Sequence, residues 1–157
     1  MVKYSNKRDI IGFMDVDRST GEEALRLAVD SLKENKYDIV IGSRYVAGSK
    51  IKRKADRLII SKLFNTFVRI YYNSKIKDHE CGFKFFKAEI LKDLVNEMGI
   101  NYKRKMFWDS EMLIRAQKKK LRIREIPINW IEGTKSALSF KKELPMLKYM
   151  IELKFRL

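Results

Sequence analysis

Apolar residues fall along this chain in short runs and in helical stripes that follow one another, the order expected of alternating strands and helices. Residues 10–14 form an apolar run that stops at Asp15 and Asp17, which predicts a strand ending in a polar loop. Ser19 and Thr20 stand three residues ahead of Glu22 and Glu23, the spacing of a capping box. Leu25, Ala28, Val29 and Leu32 then supply the apolar face of the helix this predicts. Residues 37–43 close with DIVIGS, a second strand, and Arg44 lies just past it. Strand, helix, strand in this order predicts a parallel α/β unit.

Within 55–72, Ile60, Leu63, Phe64, Phe67, Val68 and Tyr71 recur at helical spacing, with basic residues on the other side, so an amphipathic helix with a basic face is expected. KDHECGFKFF, residues 77–86, has no clean period and reads as a loop running into a short strand. Ile90, Leu91, Leu94, Val95 and Met98 mark another helix, with Gly99 suited to its C-terminal cap. Residues 109–119 predict a helix, and 121–130 a strand whose alternation shifts near Glu125, as a bulge or bend would cause. Pro145 suits a first helical turn, and Met146, Leu147, Met150, Ile151 and Leu153 lie among lysines after it. Residues 145–157 therefore read as an amphipathic helix able to lie on a membrane surface. No repeat, low-complexity tract or linker divides the chain, so 1–157 is expected to form a single domain.

Composition narrows the classes. A chain of 157 residues buries roughly 70% of the surface it exposes when unfolded, enough for one core. Lys and Arg number 35 against 20 Asp and Glu, a formal charge of +15, so the surface should attract polyanions: nucleic acid, anionic lipid or phosphorylated ligands. The basic residues cluster in patches at 50–57, 103–105, 118–124 and 135–142, and no nucleic-acid reader motif accompanies them. Cys81 is the one cysteine, which excludes an internal disulfide and a thiolate metal cage and points to a reducing compartment. No apolar stretch approaches the ~20 residues that span a bilayer, and the start, MVKYSNKRD, lacks the core of a signal peptide. The expected location is cytoplasmic, peripheral on the cytosolic face of a membrane.

Few residues carry candidate chemistry. Asp15 and Asp17, spaced i, i+2 at a strand's end, can converge on one hard cation such as Mg²⁺ or Mn²⁺, or serve only as acids favoured near a helix start. Arg44 stands where open α/β sheets bind ligands and can grip a phosphate in a bidentate way, or form a surface salt bridge. Arg57 and Ser61, one turn apart, share a helix face that is either a second phosphate contact or plain solvent-exposed surface. Asp78, His79 and Cys81 lie close together, but a lone His and a lone Cys do not make a zinc site, leaving Asp78 as the member suited to an active site.

Taken in order, FMDVD, DIVIGSRY, RLIISKLFN, KDHECGFKFFKAEIL, FWDSEMLIRA and IREIPINW resemble the family 2 glycosyltransferases of the dolichol-phosphate mannose synthase and polyprenyl-phosphate glycosyltransferase type, from about residue 11 to residue 130. The resemblance implies a partial GT-A fold, Rossmann-like, with a mixed sheet flanked by helices. It implies that Asp15 and Asp17 are donor and metal ligands for Mg²⁺ or Mn²⁺ on a nucleotide sugar. It places Arg44, Arg57 and Ser61 at the phosphate of a polyprenyl phosphate and Asp78 at the active site, with Lys135 the nearest basic residue in the loop after Trp130.

The implied reaction is an inverting transfer of a sugar from nucleotide diphosphate to lipid phosphate. In that family a strand and loop for the nucleotide base come some tens of residues before the acidic motif, whereas fourteen residues precede Asp15 here. The chain is therefore expected either to act with a separate chain supplying an N-terminal half or to be a truncated descendant with weakened activity, with an anionic membrane surface as a further expected partner. Ser19 stands where many relatives have Gln, and WIEGTKSALSF lacks the Arg common after the Trp. The alternative function is a non-catalytic phosphate- or membrane-binding module of the same fold.

Overall fold

A computed structural model describes residue 6 and residues 9–14, 21–131 and 140–157, with the backbone alone at 140–145. Asp15, Asp17, Ser19, Thr20 and Lys135 lie outside these. The elements in chain order are β1 (Ile10–Phe13), α1 (Glu22–Lys33), β2 (Ile39–Ser43), β3 (Lys50–Lys52), α2 (Ala55–Tyr72), β4 (Lys84–Lys87), α3 (Ala88–Met98), α4 (Trp108–Lys118), β5 (Ile123–Pro127), β6 (Asn129–Ile131) and α5 (Phe140–Lys154). A short 3-10 stretch, Tyr102–Phe107, precedes α4.

Four strands make the main sheet in the order β1-β4-β2-β5. β4 is antiparallel to both of its neighbours, and β2 is parallel to β5. β1 and β2 thus run the same way, as a strand-helix-strand unit requires, but β4 is inserted between them. This is the expected mixed sheet flanked by helices. A separate ribbon pairs β3 with β6 in parallel.

Side chains alternate across the strands, so both faces of the sheet need cover. Ile39, Ile41 and Phe86 point to one face, under Leu91, Leu94, Met112 and Leu113 of α3 and α4. Val40, Phe85 and Ile126 point to the other, under Ala28 and Leu32 of α1. β2 is buried along its whole length. A Cβ on Gly42 would sit 2.8 Å from Ile128 Cγ2 and 3.0 Å from Cys81 Sγ, so the strand's close approach to its neighbours requires glycine.

The N-cap of α1 is Gly21, with no side-chain cap of its own, and the capping-box residues Ser19 and Thr20 lie outside the described residues. Three expectations are corrected. Residues 121–130 are not one strand with a bulge or bend near Glu125: pairing with β2 runs regularly through Glu125 and ends at Pro127, which has no N–H to donate, and the chain crosses to β3 from Asn129. α5 begins at Phe140, so Pro145 lies inside the helix instead of in its first turn. Of its apolar residues, Met146, Met150 and Leu153 pack with Val68, Tyr72, Phe107 and Ile114, while Leu147 and Ile151 stay exposed.

The largest correction concerns α2. Its inward face includes Ser61 and Asn65 beside Val68 and Tyr72, while Ile59, Ile60, Leu63, Phe67 and Ile70 face solvent. The apolar stripe is therefore mostly an outer surface. Ser61 and Asn65 turn inward because a polar loop, described next, needs their donors and acceptors.

Candidate functional site

Four segments of the chain meet at one end of the main sheet. Phe13 and Ile41 each lie across from Lys84, so β1 and β2 finish where β4 begins. β5 reaches the same end at Pro127, beside Ser43. The carboxyl ends of parallel strands are where an open α/β sheet leaves room for a ligand.

Arg44 follows β2 directly and turns onto Asp78, in the loop between α2 and β4. Its backbone N–H and its Nε donate to Asp78 Oδ2 at 2.9 and 2.7 Å, and its Nη2 donates to Oδ1 at 2.7 Å. Asp78 is fully buried and Arg44 nearly so. Such a desolvated pair persists because three charge-assisted bonds replace the water both groups lost. Burial opposes the guanidinium's charge, but the hydrogen bonds from Asp78 overcome it and hold Arg44 above its usual range. The loop is fixed in turn by Glu125 of β5, whose carboxylate accepts the backbone N–H of Lys77 at 3.0 Å and of Asp78 at 3.1 Å.

The outer side of Arg44 is aromatic. Its guanidinium carbon lies 5.4 Å from the ring centroid of Tyr45 and 5.5 Å from that of Trp130. Arg53, just after β3, lies 5.2 Å from the same Trp130 ring. Two guanidinium groups thus share one indole, a cation–π arrangement that gathers positive charge at the site. The β3–β6 ribbon creates it by setting Ile51 opposite Trp130.

Ser61 on α2 reaches the site from below. Its Oγ accepts from Tyr45 Oη at 2.9 Å and donates to Glu80 Oε2 at 3.1 Å. Asn65 Nδ2 lies 3.5 Å from the same Glu80 oxygen, and Arg44 Nη2 lies 3.8 Å from it. Burial raises the Glu80 carboxyl above its ordinary range, with Arg44 acting against that rise. Asn65 Oδ1 accepts the His79 N–H at 2.8 Å, and His79 Nε2 lies 2.9 Å from Ser74 Oγ. Burial lowers His79 to about 4, so its imidazole is neutral at neutral pH, and pushes the Cys81 thiol up to about 12. Arg57, one turn before Ser61, is partly buried.

A second buried pair stands beside the end of β1. Lys84 Nζ donates to Asp109 Oδ2 at 2.8 Å and to the Cys81 carbonyl at 2.5 Å, and lies 5.7 Å from the Phe13 ring centroid. Among the described residues no three His, Cys, Asp or Glu side chains are placed to hold a metal ion. Each described acid here already has a cation or donor against it: Asp78 has Arg44, Glu80 has Ser61, and Asp109 has Lys84. The described acids therefore do not fit a divalent-ion cage.

Of the residues named from sequence, Arg44, Ser61 and Asp78 come together, with Arg57 one turn away; Asp15, Asp17 and Lys135 lie outside the described residues. Glu80, Asn65, Arg53, Glu125, Lys84 and Asp109 join the site without being among the candidates named from sequence. The basic run at 50–57 was the trace of Arg53, but a three-residue strand has no period to reveal its pairing.

The signature of glycosyl transferase family 2 matches residues 2–95. The chain is 34% identical over 122 residues to glycosyltransferase AglD of Haloferax volcanii, covering 78% of this chain and 19% of that protein. It is 39% identical over 116 residues to a dolichyl-phosphate beta-glucosyltransferase of Saccharomyces cerevisiae, covering 69% and 33%. Against the polyprenol monophosphomannose synthase of Mycolicibacterium smegmatis it is 29% identical over 124 residues, covering 76% and 44%. The chain spans less than half the length of each of these relatives. A match over more than half of the chain, joined to a mixed α/β sheet with its charged site at the strand ends, shows that the chain belongs to glycosyl transferase family 2.

Proposed function

We propose that this chain forms part of an enzyme that transfers a sugar from a nucleotide sugar to the phosphate of a polyprenyl phosphate. The observation that carries this reading is Arg44, oriented by Asp78 at the carboxyl end of the sheet, with Arg53 gathered on the same indole and Ser61 opposite. Relatives named for dolichyl-phosphate glucosyl transfer and polyprenol monophosphomannose synthesis supply the substrate class.

In this reading a lipid phosphate oxygen attacks the anomeric carbon while the bond from that carbon to the nucleotide diphosphate breaks, inverting the centre. Phosphate is already ionised at neutral pH, so no strong base is needed, and the protein's task is to hold two anions together and steady the leaving charge. Arg44, Arg57, Ser61 and Lys135 are assigned to the acceptor phosphate. Asp78, whose oxygens are taken up by Arg44, acts as the positioning residue for that guanidinium. Asp15 and Asp17 are assigned to the donor and to Mg²⁺ or Mn²⁺, which would offset diphosphate charge.

The outer face of α2 favours action at a membrane surface. Ile59, Leu63 and Ile70 are exposed there with Lys62 and Arg69 among them, and Leu147, Ile151 and Phe155 are exposed on and just after α5 with Lys148 among them. An apolar stripe rimmed by cations suits an anionic lipid interface. Among the described residues no helix is long and apolar enough to cross a membrane.

The test combines the chain, alone and joined to a polypeptide supplying an N-terminal half, with Mg²⁺ or Mn²⁺, labelled nucleotide sugars and a polyprenyl phosphate. Labelled lipid is the expected product, and none in either format rejects the reaction. The engagement of Arg44 by Asp78 also suits a non-catalytic phosphate- or membrane-binding module. That reading predicts binding to anionic vesicles without any cation-dependent affinity for nucleotide diphosphates.

A further inference from the structure

Glu80 is the point on which the donors of this site converge. Its Oε2 takes the Ser61 hydroxyl at 3.1 Å, lies 3.5 Å from Asn65 Nδ2, and sits 3.8 Å from Arg44 Nη2. Tyr45 Oη, at 2.9 Å from Ser61 Oγ, helps orient that hydroxyl. These are the groups an entering phosphate oxygen would use. Unlike Asp78, which is sealed in, Glu80 keeps 39% of its side-chain surface exposed, so it can swing outward without opening the core.

We propose that the Glu80 carboxylate is an internal anion occupying the site built by Arg44, Ser61 and Asn65, and that a phosphate monoester must displace it to bind. The inference rests on the assignment of Arg44 and Ser61 to the acceptor phosphate, and it adds the residue that sets how readily that phosphate enters.

Charge around Glu80 gives the proposal a sign. Arg44, Asp78 and Glu80 together carry one net negative charge. Arg53 across Trp130 and Arg57 one turn before Ser61 add positive charge, and Asp109 at the start of α4 adds a further acid whose field reaches Glu80. Tyr45, whose phenol is raised by burial, and the neutral imidazole of His79 add none. An ionised Glu80 opposes an entering dianion, and a protonated one leaves the donors to it. Burial has already raised the Glu80 carboxyl, so this exchange falls above the usual carboxylate range. Affinity for anions is therefore expected to rise as pH falls.

The experiment titrates the chain and its E80Q variant with sulfate, whose charge is constant from pH 5 to 8, following the Trp130 indole N–H resonance. E80Q keeps the size and an oxygen acceptor for Ser61 but removes the charge. At pH 8 it is expected to bind sulfate about tenfold more tightly than the unsubstituted protein, a change typical of removing one like charge at close range. Its affinity is expected to be flat with pH, while that of the unsubstituted protein climbs toward pH 5.

Equal affinities with parallel pH curves, weaker binding by E80Q, or no sulfate response in either protein overturns the inference. Should E80Q fail to fold, the pH curve of the unsubstituted protein decides alone, and a flat curve overturns it. Inorganic phosphate and a short polyprenyl monophosphate in detergent form the companion arms. E80Q is expected to tighten both, and the larger response from the lipid marks a headgroup as the occupant. A chain that shows the Glu80-dependent response but transfers no sugar loses the proposed reaction alone. One that transfers sugar with the same acceptor KM in both forms loses this inference alone.

Discussion

Glu125 accepts the backbone N–H of Asp78 at 3.1 Å, which ties the carboxylate facing Arg44 to the middle of strand β5. The orientation of the guanidinium is thus set two steps away, by an edge strand of the main sheet. E125A removes the acceptor for two loop N–H groups, and an orphaned, partly buried donor costs about 1–3 kcal/mol. Urea midpoints should fall accordingly, and anion affinity should weaken as Arg44 loosens. Unchanged binding in a destabilised E125A would show that the loop does not position Arg44.

Breaking the Arg44–Asp78 pair from one side leaves a buried charge with no partner. D78A is expected to cost about 3–5 kcal/mol, and R44A D78A together should cost clearly less than the sum of the single changes. A double-mutant cycle on unfolding free energies measures the coupling. Additive costs would mean that the two side chains do not depend on each other.

His79 predicts a pH dependence of stability. Its folded value, about 4, lies below its ordinary 6.5 because burial disfavours the cation. Between these values the unfolded chain binds more protons, so the contribution is complete above pH 6.5, is lost as pH falls, and levels off below about 4. The full window corresponds to about 3 kcal/mol. Thermal unfolding of H79N from pH 7 to 4 should be flatter than that of the unsubstituted protein, and parallel curves would remove His79 as the cause.

The outward stripe of α2 should govern attachment to lipid. Ile70 is 78% exposed, so I70E leaves the core intact while placing a negative charge among Leu63, Phe67 and Arg69. Cosedimentation with vesicles containing anionic lipid should fall severalfold with little change in melting temperature. Equal cosedimentation would assign membrane contact to another surface.

Where a segment had a strong period, its pattern in the sequence was enough to locate it. The 55–72 stripe coincides with α2, and Gly99 does follow α3 in a positive-φ conformation. Periodicity could find the stripe on α2 but not which way it faces. That is decided by Ser61 and Asn65, whose partners Glu80 and His79 lie 14 to 19 residues further on. β3, with three residues, and the 3-10 stretch broken at Lys105 are too short or too irregular to carry a pattern. Arg44 was legible because it follows a buried strand, and Asp78 was marked first as the acid left once a zinc site was excluded from its loop and then by the family resemblance. Glu80, Glu125 and the sharing of Trp130 by Arg44 and Arg53 exist only once distant segments are brought together.

The placement of β4 between β1 and β2 has a consequence for how the molecule forms. The first two strands cannot hydrogen-bond to each other, and both must wait for residues 84–87 to arrive, some forty positions after β2 has been made. The stretch that closes the gap is also the one that delivers Asp78, Glu80 and Lys84 to the strand ends. A chain cut short after α2 would lack both β4 and β5, leaving β1 and β2 without a partner strand and Arg44 without Asp78, so sheet closure and the pairing of Arg44 go together.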